Sequence, residues 1–260
     1  MNVIEAFAKR NSGLKCCNKT SFIVCPDIMA GLISCSHTEI YFSVKKRYNN
    51  KSKLGTGKRK NKVKTIVIVL ESPHVDEFAS CASRKYVIFY DDEITATPAI
   101  GKTGDKLQKF FEDKVKKTGF IDENTEYRVI LMNSVQYQCS LGYPTNKYRD
   151  HVWLDLWFNY KLRDDFKKRL ASYHPDFIVN CCTKGNHTAE VEAPNGTKTL
   201  INREYLDYCC IPKKVNPATL HDYVQDAIDE YVKESKMEVK TYKGTHPYSW
   251  RDDKEFDLIA

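Results

Sequence analysis

The sequence contains no run of about 18 consecutive apolar residues, so it predicts no membrane-spanning helix. It contains no Cys-x-x-Cys either, although it has 10 cysteines, six of them in the adjacent pairs Cys16-Cys17, Cys181-Cys182 and Cys209-Cys210. The common zinc and iron–sulfur templates are therefore not met, and the spacing of Cys16, Cys17, Cys25 and Cys35 fits none of them. Buried free thiols are the expectation, with no metal and no cofactor. Met1 to Arg10 lacks the long apolar core of a signal peptide, and the expected location is the cytoplasm. From Lys45 to Lys64 there is no Asp or Glu, against ten Lys and Arg residues. The whole chain carries +7, so the remainder is net negative and the basicity is local. With Gly55, Gly57 and several Asn and Ser residues, the segment reads as an arm or loop that lies on phosphates, Lys58, Arg59 and Lys60 among its charges. A solvated linker is the alternative. Ala96 to Thr103 lacks the first glycine of a P-loop and no strand feeds it, which argues against NTP hydrolysis. Asp91-Asp92-Glu93 reads as a solvated loop rather than a metal site.

What is present is the pattern of an α/β protein. Hydrophobic residues make up 42% and aromatic residues 12%, as in a globular chain, and 260 residues suit one decorated domain or two small ones. In Thr65-Ile66-Val67-Ile68-Val69-Leu70 all but the last residue are β-branched, the composition of a strand buried on both faces in a parallel sheet. Arg128 to Met132 and Asp176 to Val179 are two more such runs, and Met237 to Tyr242 is a weaker fourth. Gly31 to Val44 suits a strand or hairpin, and Val3 to Arg10 a short helix. Between the strands, Leu107, Phe110, Phe111 and Val115 share one face of a helix starting near Lys102. Leu154 to Tyr173 carries Leu156, Leu162, Phe166 and Leu170 at roughly helical spacing, and Leu220, Val224, Ala227, Ile228 and Tyr231 form a third stripe. Thr183 to Asn216 reads as an irregular excursion with a turn at Pro194-Asn195-Gly196. The alternation predicts an α/β fold with a central four-stranded parallel sheet flanked by helices over residues 65–260. Residues 1–64 are read as an N-terminal extension containing the basic segment.

Open α/β sheets bind ligands at the carboxyl ends of their strands. Those ends carry Glu71-Ser72-Pro73-His74, then Asn133-Ser134, then Thr245-His246-Pro247-Tyr248-Ser249-Trp250. A carboxylate, a carboxamide and an imidazole thus fall on one rim if the strands are neighbours. Pro98-Ala99-Ile100-Gly101-Lys102-Thr103-Gly104 opens the helix after the first strand.

In that order these segments resemble the motifs of the uracil-DNA glycosylase superfamily, closest to its fourth family. Leu70-Glu71-Ser72-Pro73-His74 stands where that family has GEAPG, keeping the Glu and the Pro. Pro98 to Gly104 is similar to PFVGRAG with both glycines in register. Asn133 matches the Asn at the end of the family's second strand, and His246-Pro247-Tyr248-Ser249-Trp250 is similar to HPS followed by Leu. The resemblance spans Ile66 to Trp250. It departs at Leu70, His74, Ala99 (an aromatic in the family) and Trp250, and the family's iron–sulfur cysteines are missing. A smaller residue at Ala99 would enlarge the pocket. The resemblance therefore implies a glycosylase fold and a base larger than uracil, a modified pyrimidine. Relatives that act against bacteriophage by removing glucosylated hydroxymethyl-pyrimidines fit that expectation.

The chemistry gives each residue a role. Glycosidic cleavage leaves a cation-like sugar and an anionic base, and needs a water. Glu71 would position or activate the water and face the sugar cation. His246 would donate to the oxygen of the departing base, as the matching family residue does, and Asn133 would read a pyrimidine edge. Ser72, Pro73, His74, Ala99 and Ile100 would line the substrate. Gly101, Lys102 and Gly104 would approach DNA phosphate at a helix N-terminus. Trp250 would wedge into the base stack, with Tyr248, Ser249 and Arg251 beside it. The ordinary alternatives are a helix or strand cap for Glu71 and Asn133, a turn histidine for His246 and a core tryptophan for Trp250. The expected protein is a monofunctional DNA glycosylase working as a monomer on DNA. A binding module of the same fold, or a nucleoside or nucleotide hydrolase, is the alternative.

Overall fold

A computed structural model of the chain describes residues 23–33, 38–40, 63–78, 96–99, 101–119, 121–122, 125–140, 145–187, 190–192, 196, 198–200, 218–251 and 257–259. The helix expected at Val3 to Arg10, Cys16, Cys17, Cys35, the heart of the basic segment with Lys58, Arg59 and Lys60, the Asp91–Glu93 cluster and Ile100 lie outside the described residues.

The strands are β1 (Ile28–Ile33), β2 (Thr38–Ile40), β3 (Val63–Leu70), β4 (Glu126–Asn133), β5 (Phe177–Asn180), β6 (Glu190–Glu192), β7 (Lys198–Leu200), β8 (Lys240–Lys243) and β9 (Asp257–Ile259). The helices are α1 (Lys102–Lys117), α2 (Thr145–Phe158), α3 (Leu162–Ser172) and α4 (Leu220–Ser235). The protein is α/β. The four runs read as strands are β3, β4, β5 and β8, and they form a parallel block in the order β4-β3-β5-β8.

The sheet is larger than the four strands expected. Its full order is β2-β1-β4-β3-β5-β8-β9, and the three added strands are antiparallel to their neighbours. A four-stranded parallel block leaves two edges with unpaired backbone groups. The hairpin of β1 and β2 covers the β4 edge, and β9 covers the β8 edge. Residues 28–33 and 38–40 therefore belong to the same sheet as the rest. Within the excursion after residue 183, β6 and β7 pair as a separate antiparallel hairpin. Gly196, in the turn expected there, takes a φ of +76°.

β3 explains the layers. Successive side chains of a strand point to opposite faces. Val67 and Val69 enter a core with Trp153, Trp157, Phe166, Leu170, Val224 and Ile228, beneath α2, α3 and α4. Ile66, Ile68 and Leu70 enter the other core, with Leu107, Phe111, Val115 and Trp250, beneath α1. The stripes expected on α1 and α4 are the buried faces of those helices. Thr219 and Asp222 close a capping box at the start of α4, which sets where that helix begins.

The stretch from Leu154 to Tyr173, read as one helical pattern, is two helices. Lys161 breaks it with a left-handed φ of +58°. α2 also begins earlier, at Thr145, and Val152 to Trp157 are all buried. A helix covered on every side has no polar face, so it shows no stripe.

Candidate active site

β3 ends at Leu70, and β4 ends in register with it at Asn133. The next residue on each strand builds the rim. The Glu71 carbonyl accepts from the Ser134 hydroxyl at 2.7 Å, the Val135 N–H at 3.0 Å and the Trp153 indole N–H at 3.0 Å. Three donors on one carbonyl fix the backbone of Glu71 while its side chain turns to other partners. Glu71 is 6% exposed.

The Glu71 carboxylate lies between an imidazole and a guanidinium. His246 Nε2 is 3.3 Å from Oε2, and Arg149 Nη1 is 3.8 Å from Oε1. Oε2 is buried and makes no hydrogen bond of good geometry among the described residues. Burial by itself would raise the Glu71 carboxyl, but its interactions with His246 and Arg149 outweigh it and hold the group at about 2. Glu71 is a carboxylate at neutral pH and a weak proton acceptor. It offers a fixed negative charge and an available lone pair, which suits orienting a water more than taking its proton.

Arg149 stands in the second turn of α2, and its neighbour Asp150 holds it through Nε at 2.9 Å. Asp150 is buried and accepts as well from the backbone N–H of Asn186, from that of His187 at 3.0 Å and at His187 Nδ1 at 3.2 Å. Burial would raise its pKa; His187, Arg149 and the Asn186 N–H together hold it below the usual carboxylate range. The loop can approach this closely because residue 185 is glycine. Its φ is +80°, and a Cβ there would collide with the Asp150 carboxylate. Burial would lower the Arg149 pKa, and the two carboxylates raise it. A charged chain thus runs from the 185–187 loop through Asp150 and Arg149 to Glu71.

Asn133 is buried, and its Oδ1 has no partner among the described residues. Its Nδ2 lies 4.0 Å from the Cys25 thiol. Arg169 supports this strand end from α3, donating to the carbonyls of Asn133 at 3.1 Å and Ser134 at 3.0 Å while binding both oxygens of Asp27 at 2.9 Å. Glu71 and His246 are in contact. Asn133 joins neither directly, but it sits one strand over on the same rim.

Ser72 is half-buried, Pro73 is buried and His74 is exposed. Pro98 and Ala99 form the turn before α1, with Ala99 at φ +56°. Ala99 does not open onto a cavity as expected: it is fully buried in the α1-side core with Leu70 and Trp250. A cavity of about 350 Å³ lies instead beside Ser134, lined by Gln136, Tyr137, Tyr160, Lys161 and Lys168 among others. Gly101 caps α1 without a side-chain bond, Lys102 is exposed and Gly104 is buried.

The turn after β8 corrects two expectations. Trp250 is 1% exposed and does not stand free to enter a base stack. Its indole N–H donates to the Thr245 carbonyl at 2.7 Å, and the Lys114 ammonium sits 5.4 Å from the ring centre. α1 holds the turn further through Lys106 Nζ on the Trp250 carbonyl and Lys114 Nζ on that of Arg251. The exposed aromatic of this turn is Tyr248, at 58%. Ser249 and Arg251 are exposed as well. His246 has both nitrogens engaged inside the protein: the Tyr248 backbone N–H donates to Nδ1 at 3.3 Å, and Nε2 faces Glu71. It does not point a donor outward to a base, because the turn's own backbone sets the ring.

Cys25, Cys139, Cys181 and Cys182 are buried free thiols, as expected. Burial pushes the last three well above the usual thiol range. Among the described residues no helix is long and apolar enough to cross a membrane. Compared with protein-family models, with curated proteins and with solved structures, the chain matches none. Sequence reasoning missed Arg149, Asp150, Gly185 and His187. The available signal was the charged run Arg149-Asp150-His151 directly before the apolar residues of α2.

Proposed function

We propose that this protein is a DNA glycosylase that hydrolyses the N-glycosidic bond of a flipped-out, modified pyrimidine and leaves an abasic site. The observation that carries this reading is a pair of buried acceptors on one rim that lack a well-formed hydrogen bond among the described residues. They are Glu71 Oε2, on a carboxylate held ionised beside His246, and Asn133 Oδ1, at the end of the adjacent strand. An unsatisfied buried acceptor costs about 1–3 kcal/mol, and a ligand or water that donates to it recovers that. Glu71 would orient the attacking water through Oε2 and oppose the positive charge growing on the sugar. Asn133 Oδ1 would accept from a ring N–H or an exocyclic amino group of the base. His246 would hold the Glu71 carboxylate in place. The exposed Tyr248, with Ser249 and Arg251, would meet the DNA, and the basic segment would follow its phosphates. No cofactor enters this scheme, and one chain suffices. Removal of modified bases in phage defence, or of damaged ones in repair, is the setting the resemblance implies.

The test is base release from oligonucleotides carrying uracil, hydroxymethyluracil or hydroxymethylcytosine, and from phage DNA with glucosylated hydroxymethylcytosine. Abasic sites should form with the wild type and fall by about 10²–10⁴-fold with Glu71→Gln. Tight, salt-sensitive DNA binding with no abasic site on any substrate would replace the enzyme with a binding module.

A further inference from the structure

We propose that Arg149 is a catalytic residue that receives the negative charge developing on the departing base. The inference rests on the glycosylase reading and deepens it. It starts from the other ring in the site. Nδ1 accepts from the Tyr248 N–H and Nε2 is turned to Glu71 Oε2 at 3.3 Å, so His246 aims no donor at a leaving group. The Arg149 guanidinium beside the carboxylate has donors left.

A guanidinium carries five N–H donors in a rigid fork. Among the described residues, only Nε of Arg149 makes a hydrogen bond, to Asp150. The fork's nearest approach to Glu71 is 3.8 Å, outside hydrogen-bonding range. A side chain whose purpose was to neutralise Glu71 would close to about 2.7–2.9 Å, and this one does not. The side chain is 16% exposed, and its terminal nitrogens are not among the buried atoms without a partner, so a ligand can reach them. Two terminal nitrogens with four N–H groups are therefore presented to an oxygen that no described residue supplies. Asp150 locks the fork by its Nε, and the backbone N–H groups of Asn186 and His187 lock Asp150. Asp150 is thereby a positioning residue.

The step balances as follows. The bond from C1′ to the base nitrogen breaks, and its electron pair leaves on the base, delocalised onto the ring carbonyl oxygens. Arg149 donates to one of those oxygens. Water held by Glu71 adds to C1′ and releases a proton to solvent, and the base anion takes a proton from solvent. Pre-set charge in a dry site is the largest lever on such a step.

The test uses the full-length protein in single-turnover base release from oligonucleotides carrying uracil, 5-fluorouracil, hydroxymethyluracil or hydroxymethylcytosine, and from glucosylated phage DNA. Arg149→Gln should slow release by about 10²-fold or more. The loss should be several-fold smaller for 5-fluorouracil than for uracil, because the more acidic base needs less help. Where only one base is released, the readout is rescue: guanidinium chloride should restore several-fold the rate of Arg149→Ala and leave Glu71→Gln unchanged. A loss that is equal across leaving groups, or absence of rescue with thermal unfolding unaltered, would overturn the inference. So would a defect confined to salt-dependent DNA affinity at an unchanged saturated rate, which would assign the fork to a phosphate. If Arg149→Gln does not fold, Arg149→Lys keeps the charge without the fork and should show the same leaving-group trend. Release by the wild type with no effect at Arg149 defeats this inference alone. No release by the wild type on any substrate defeats the glycosylase reading as well.

Discussion

α1 and α2 grip the same rim from opposite faces of the sheet, and they do it by different physics. α1 holds the His246 turn by apolar packing on Trp250 and by two lysines on backbone carbonyls. α2 holds Glu71 by the Trp153 indole on its carbonyl and by the Arg149–Asp150 ion pair. The first grip is area and shape, which tolerate conservative exchange. The second is charge in a buried place, where removing one partner strands the other. The side bearing the turn can drift in sequence, whereas the side bearing the carboxylate cannot change a charge without disturbing the others.

The comparison predicts a gradient of effects on folding stability. Asp150→Ala should cost the most, about 3–5 kcal/mol by denaturant unfolding, because it strips Arg149, His187 and two backbone N–H groups of their acceptor. A loss under about 1 kcal/mol would remove the ionic grip from the argument. Trp250→Leu should cost less, about 2 kcal/mol, because packing is reduced rather than a charge orphaned.

Acid should act through Glu71. Its pKa is lowered on folding from 4.5 to about 2, so its stabilisation is complete above the unfolded value and is lost as pH falls from one value to the other. The fall in melting temperature over that window should be shallower in Glu71→Gln than in the wild type, and equal slopes would show that the carboxylate is not held ionised. Smallest on stability is Tyr248→Ala, within about 0.5 kcal/mol because the ring is exposed. Its DNA affinity should nevertheless fall by about 1–3 kcal/mol if the ring stacks on a base. Trp250→Leu should leave affinity nearly unchanged. The reverse pattern would restore Trp250 as the residue that meets DNA.

Much of the frame was legible in the sequence. The strands of the parallel block could be read because burial on both faces demands runs such as Ile66 to Val69, and α1 and α4 because one wet face leaves a stripe. Glu71, Asn133 and His246 could be placed on a rim because strand ends are where such a fold exposes chemistry. Of the edge strands, β2 and the end of β1 fall in the stretch from Gly31 to Val44 read as a strand or hairpin, whereas β9, at three residues, is too short for periodicity to mark.

The amino-acid sequence by itself determined the α/β class, the four parallel strands and the rim on which Glu71, Asn133 and His246 stand, because those follow from local patterns of burial. Tertiary structure alone decided what the three residues face. It paired His246 with Glu71 rather than with open space, and buried Trp250 under α1 while leaving Tyr248 exposed two residues earlier. It brought Arg149 to the carboxylate from a helix with no stripe, against an Asp150 held by a loop 36 residues further along. Contacts between distant segments depend on how helices sit on the sheet, and no local pattern records that.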